Sequence, residues 1–399
     1  MQVASLWRGT QQEIELFVAA WRELPENALW LLVSRQREAQ RLRARRSTIL
    51  LWSLGGALAL AIYLAVCYAM YLLNPSTDPG EYLVVFGFGF VLPLTLAYLL
   101  ITLGRSALEA QLWLGGMRQD AKQLAAPLVD PQLILTPLGP RDVLVAALRD
   151  LLPALALAAV TTSAVACSLL LLAVAGSDGF LTALALSPLT LAGYAVVGLL
   201  GCVILALLMF SLGLNSLSQA QRSFPALLLV LHQLIVLGSG LVALAAYSET
   251  SSRAGLDPLA ALVGSALLVG AIWLGARLAF ELPRLGMTWL IITPVVLTVL
   301  FWVLAAFFSL YGGLGESTAF GEFLGLTGLH LSSAWAGLSL FHPGALITTL
   351  SVGAQAGDSI AGWHMLYHYP LIILTQCALI AVLYRVALQA ANLRLQSIE

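Results

Sequence analysis

Five histidines and four cysteines are the side chains in this chain best suited to hold a metal or attack a substrate. His364 and His368 stand four residues apart, which puts both imidazoles on one face of a helix and is a spacing used for a metal or a haem. No cysteine or carboxylate completes a ligand set, Asp358 being the nearest acid, so these two, with His330 and His342, read as polar contacts at a membrane interface. His232 lies inside an apolar run and reads as a hydrogen bond between helices. Cys67, Cys167, Cys202 and Cys377 also lie in apolar runs, where a thiol acts as a small hydrophobe. The sequence carries no G-x-S-x-G elbow, no H-E-x-x-H and no G-x-x-x-x-G-K-[ST] phosphate loop. No catalytic, cofactor-binding or metal residues are therefore assigned, and the chain is not expected to be an enzyme.

The segment with the clearest physical design is suited to mechanical work. Between Asp130 and Asp150 the chain reads DPQLILTPLGPRDVLVAALRD. Asp130 can cap a short helix with Pro131 at its first position, and Pro137 ends that helix because it disfavours helical geometry at Thr136. Gly139 then precedes Pro140 at the first position of a long helix, with the Asp142 carboxylate facing free backbone N–H groups. A turn fixed between prolines at the foot of a long helix transmits a push from a partner, because little of the motion is lost in bending. An ordinary proline-rich connection would look the same at this level.

The elements around this elbow are set by composition. The 399 residues are 60% hydrophobic and 10% charged, with mean hydropathy +0.92. Soluble domains carry roughly a quarter charged residues, so a soluble fold is excluded. A span needs about 20 apolar residues, and eight runs qualify, at 48–73, 82–104, 149–175, 189–213, 224–247, 257–279, 287–311 and 366–387. The expected fold is all-α, a polytopic transmembrane bundle of about eight spans with both termini cytoplasmic. A weaker ninth stretch, 322–350, is rich in Gly and Ser and broken by Pro343, and reads as interfacial helices or a re-entrant hairpin. With the N-terminus inside, Arg253 is the sole basic residue of 19 left outside. No charged residue sits near the middle of a run, so an ion-coupled mechanism lacks its usual groups and energy would come from another polypeptide. The net charge of −1 argues against a nucleic-acid partner.

Residues 1–47 form an amphipathic N-terminal segment ahead of the membrane domain, 48–399, which includes a cytoplasmic connection at 105–148 and an extracytoplasmic one at 312–365. The first residues lack the apolar core of a secretory signal, so no cleavage is expected. Ile14, Phe17, Val18 and Trp21 make a stripe at helical spacing, ended by Pro25, that suits a helix on the cytoplasmic membrane surface. The RQREAQRLRARR run that follows would sit among anionic headgroups, as a topology anchor or as a lipid or protein site.

The elbow also carries a family likeness. LILTPLGPRDVLVAALRDLL resembles the cytoplasmic segment of ABC type-2 transporter permeases, on Leu133, Leu135, Thr136, Pro137, Leu138, Arg141, Asp142 and Val143. SLGLNSLSQAQRSFPALLLVL is similar to that family's second cytoplasmic turn, here with Ser216, Gln219, Gln221 and Arg222, and LFHPGALITTL is similar to its extracytoplasmic Asn-Pro segment, with His342 in place of Asn. The chain departs in having Ala146 and Ala147 where Gly-Lys is frequent, Asp130 and Gln132 where a glutamate is usual, and eight runs against six. The resemblance implies the membrane subunit of an exporter in a bacterial cytoplasmic membrane, working as a dimer with a second permease copy or paralogue and exporting a lipid-like or hydrophobic substrate. Asp130 to Asp142 would contact an ATP-binding-cassette ATPase subunit, which would carry the ATP and Mg; this chain would hold no cofactor, and its other partner is membrane lipid. The rival reading is a structural or assembly subunit that moves no substrate.

Overall fold

The computed structural model describes residues 2–23, 30–31, 139–173, 180–215, 257–311, 316–335 and 361–396, and every element among them is a helix. In chain order these are α1 (Gln2–Glu23), α2 (Pro140–Ala173), α3 (Phe180–Asn215), α4 (Asp257–Glu281), α5 (Pro283–Tyr311), α6 (Glu316–Trp335) and α7 (Ala361–Gln396). Three stretches are long and apolar enough to cross a membrane, Pro258–Glu281, Leu285–Phe308 and Pro370–Leu393. They make the chain a membrane protein. Of the eight apolar runs, five fall on α2, α3, α4, α5 and α7. The runs at 48–73, 82–104 and 224–247 lie outside the described residues.

Prolines open three of these helices, where their missing N–H costs nothing, while Pro153, Pro294 and Pro370 lie inside α2, α5 and α7. α2 and α5 begin on Pro140 and Pro283, and Pro258 lies in the first turn of α4. Leu282 alone separates α4 from α5, since Pro283 pushes the residue before it off helical geometry. The break makes a tight antiparallel hairpin that two glycines allow to close. A methyl at Gly286 would run into the Ala279 backbone, and one at Gly275 would strike the Trp289 ring.

α7 lies at the centre, packed on α2, α3, α4 and α6, while α2 pairs with α3 and α5 with both α4 and α6. The continuous core draws Leu144 and Leu148 from α2, Phe210 from α3, Ile272 from α4, Trp335 from α6 and Leu383 from α7. Three of its hydroxyls are satisfied locally. Ser211, Thr298 and Thr327 each donate to the carbonyl four residues earlier, at 2.7, 2.8 and 2.8 Å, which keeps them neutral and cheap in an apolar bundle.

The first part of the stretch expected to be interfacial or re-entrant forms a single helix, α6. α6 runs antiparallel along α5, with Phe320 5.0 Å from Phe308 in an edge-on ring contact, Gly325 facing Ala305 and Gly328 facing Phe301. It holds this register over several turns because Gly325 and Gly328 present no side chain to α5. Pro343, which broke the sequence pattern, lies beyond the helix end at Trp335.

Candidate functional site: the foot of α2

Helix α2 starts with the local geometry its sequence dictates. The Gly139 N–H donates to Asp142 Oδ2 at 2.9 Å, and the Gly139 carbonyl accepts from the Asp142 and Val143 N–H groups at 3.1 and 3.3 Å. This is the carboxylate half of a capping box, with Pro140 supplying a preset φ at the first helical position. The negative charge also sits at the positive end of the helix dipole. Loss of such a cap costs about 1 kcal/mol.

Immediately above the cap the helix is enclosed. Val143, Leu144, Val145, Ala146, Ala147 and Leu148 are each at most 3% exposed, so more than one and a half turns are covered on every side. Ala146 and Ala147, at positions where the permease family often has Gly-Lys, therefore face neighbouring helices. A lysine there would need a buried counter-charge.

Arg141 points sideways into a paired contact. Its Nη2 donates to both carboxylate oxygens of Glu13 in α1, at 2.9 and 3.0 Å. The hydrogen bond from Arg141 to Glu13 is the main reason its proton is held more tightly than usual, ahead of the opposing effect of burial. The two side chains are 35% and 38% exposed, so solvent screening limits the pair to about 1 kcal/mol. Tyr384 of α7 closes the other side, its ring 5.7 Å from Phe17 at 85° and its hydroxyl near the Arg141 guanidinium. One turn further along α1, Trp21 lies 5.4 Å beneath the Arg149 guanidinium.

Part of the apolar stripe of the N-terminal helix docks on the bundle. Phe17 and Trp21 pack onto the bundle core, whereas Val18 is exposed. The docking face runs through Glu13, Phe17, Ala20 and Trp21, which share one side of a 3.6-residue helix. Glu13 is the residue that sequence reasoning missed: the unpaired charge of Arg141 beside an apolar helix was its only signal.

Of the residues assigned to ATPase contact, Gly139, Pro140, Arg141 and Asp142 are brought together here. Asp130, Leu133, Leu135, Thr136, Pro137 and Leu138 lie outside the described residues, as do Ser216, Gln219, Gln221 and Arg222 beyond the end of α3 at Asn215. α2 and α3 pack side by side, with the Cys202 thiol donating to the Leu155 carbonyl at 3.3 Å. Counting outward along antiparallel helices from that contact brings the end of α3 level with the start of α2.

A second polar group joins three helices inside the bundle. Thr375 of α7 donates to the Ser265 hydroxyl of α4 at 2.9 Å, and Ser265 Oγ lies 2.7 Å from His330 Nε2 of α6. Thr375 shares its hydrogen with the Leu371 carbonyl at 2.7 Å. All three residues are buried. His330, placed by sequence among interfacial histidines, is 1% exposed, and a methyl at Gly264 would press on its ring. Of the other histidines in that group, His364 and His368 fall in α7, and His342 lies outside the described residues.

The chain matches no protein family, no curated protein and no solved structure with which it was compared.

Proposed function

We propose that this chain is the membrane-spanning permease subunit of an ATP-driven transporter, coupled through residues 130–142 to a separate ATP-binding-cassette ATPase and paired with a second copy or paralogue. The observation that carries the reading is the foot of α2, a proline-started and capped helix end whose next six residues are enclosed by the bundle. A displacement applied at such a foot must move α1, α3 and α7 with it, because close-packed interiors transmit strain rather than absorb it. The resemblance of LILTPLGPRDV to the permease segment supplies the identity of the motor. The cargo is a lipid-like or hydrophobic substrate, since the helices offer apolar surfaces and no charged side chain in mid-span. The membrane is the bacterial cytoplasmic one, with both termini on its inner side.

The test is purification followed by coupled assay. An ATPase chain should co-purify, and Pro137→Ala should lower transport-coupled ATP hydrolysis while leaving membrane insertion intact. Arg141→Glu should do the same by setting two carboxylates against each other, and adding Glu13→Arg should restore coupling if the pair acts inside the subunit. Purification with a large complex that contains no ATPase would replace this reading with the structural-subunit one, and undiminished coupling in both Pro137→Ala and Arg141→Glu would remove the coupling role given to residues 130–142.

A further inference from the structure

The α4–α5 hairpin is clenched at one end and open above it. Near the turn, Gly275 and Gly286 let the helices touch, and the Trp289 indole reaches across to donate to the Ala271 carbonyl at 3.1 Å. One to two turns along α4, a methyl built on Gly270 would meet nothing within 4 Å. The helices part there around a cleft of about 600 Å³ on the outer face of the bundle. Leu267, Leu274, Leu285, Ile292 and Val296 line it, with two threonine hydroxyls as the main polar interruption.

The length of the cleft suits a lipid. From Leu285 to Leu297 it follows twelve residues of α5, about 18 Å at 1.5 Å per residue. That is close to the roughly 15 Å depth of one leaflet's hydrocarbon, so a hydrocarbon chain can lie along the cleft within a single leaflet.

The turn end of the same face carries a positive charge. Leu267, Gly270, Leu274 and Arg277 recur at helical spacing on α4, so Arg277 continues the line of the cleft toward the turn. Arg277 is exposed, its guanidinium stands 6.0 Å from the centre of the Trp273 ring, and it has no ion pair among the described residues. A tryptophan and an arginine at the edge of an apolar helix are the pair that meets lipid headgroups.

We infer that the α4–α5 cleft binds one anionic phospholipid of the surrounding bilayer, with an acyl chain lying against Gly270 and the headgroup phosphate on Arg277. This rests on the chain being a membrane protein and not on its being a transporter, so it survives failure of the coupling tests. Gly270→Leu fills the cleft from open space, and Arg277→Gln removes the charge without touching the lining.

The test takes full-length protein from vesicles of equal phosphatidylglycerol and phosphatidylcholine into native mass spectrometry, with circular dichroism and gel filtration to establish that each variant is folded. Wild type should retain one lipid per chain, with phosphatidylglycerol favoured severalfold. Gly270→Leu should cut retention of both lipids at least threefold, and Arg277→Gln should keep the lipid but level the headgroup preference. Equal retention in wild type and folded Gly270→Leu, or an unchanged preference in Arg277→Gln, overturns the assignment. So does an efficient disulfide between two copies of Leu274→Cys, which would seat a second chain on this face. Should Gly270→Leu fail to fold, Ala266→Leu narrows the same cleft and is read by the same criteria.

Discussion

Two fastenings hold the central helix α7, and they are built from opposite materials. Toward its C-terminal half, the Tyr384 ring packs edge-on against Phe17 beside an ion pair, Arg141 with Glu13, that is about one-third exposed. Nine residues earlier, Thr375 belongs to a wholly buried and uncharged chain through Ser265 to His330. The separation is about 14 Å along the helix. An unpaired charge costs little on an accessible surface and several kcal/mol in a packed interior. Full charges are used where the side chains are partly exposed, and hydroxyls with an imidazole where they are buried. Each fastening ties α7 to different helices, the outer to α1 and α2 and the inner to α4 and α6.

The sharpest way to break the inner fastening is His330→Ala. It removes a buried ring packed on Gly264 as well as the hydrogen bond to Ser265, so the loss should be about 2–4 kcal/mol, read as a clear fall in the thermal midpoint in detergent. A shift no larger than that of an exposed-site control would mean that the ring is not packed between these helices. The outer fastening should give way more gently. Glu13→Gln should cost about 1 kcal/mol or less and act locally, seen as faster amide exchange across Gln2–Glu23 with little change in the midpoint. Salt should separate the two regions, because raising it from about 0.05 to 0.5 M shortens the screening length severalfold and mimics Glu13→Gln while leaving the His330 effect unchanged. The smallest effect is expected for Ser265→Ala, about 0.6 kcal/mol, since hydrogen bonds between membrane helices are individually weak.

Alkali should not release the outer fastening from its arginine side. Arg141 binds its proton more tightly folded than unfolded, so its contribution is complete below the unfolded value and is lost only as pH rises through the folded one. Both lie above the range in which the protein would be handled.

What the sequence disclosed follows from how local each cause is. Pro140 as a first helical residue and Asp142 as the acid of its cap were legible because the interacting groups lie within three residues of each other. The apolar runs marked α4, α5 and α7 for a related reason, since hydropathy is summed over neighbours. Helix ends were less legible: the run at 189–213 lies within a helix from Phe180 to Asn215, and the run at 366–387 within one from Ala361 to Gln396. Backbone hydrogen bonding continues past the apolar window, which marks the span and not the helix. The Glu13 to Arg141 pair joins residues 128 apart, and His330 meets Ser265 across 65. No pattern within one helix encodes either contact. Gly275 and Gly286 were equally silent, because a glycine needed for close approach reads like any other until its neighbour is placed.

The enclosure of Val143 to Leu148 has a consequence for how α2 can travel. A helix with one free flank can swivel about its long axis and present a new side to its surroundings. Six successive residues visit every compass bearing, and here all of them meet protein, so the foot of α2 has no idle flank to turn outward, although Leu157 and Val160 further along the helix are exposed. Any stroke it makes is confined to the directions of a piston in a sleeve, up, down or tilting with the sleeve itself. Bulky labels placed between 143 and 148 should therefore jam the assembly whichever residue carries them.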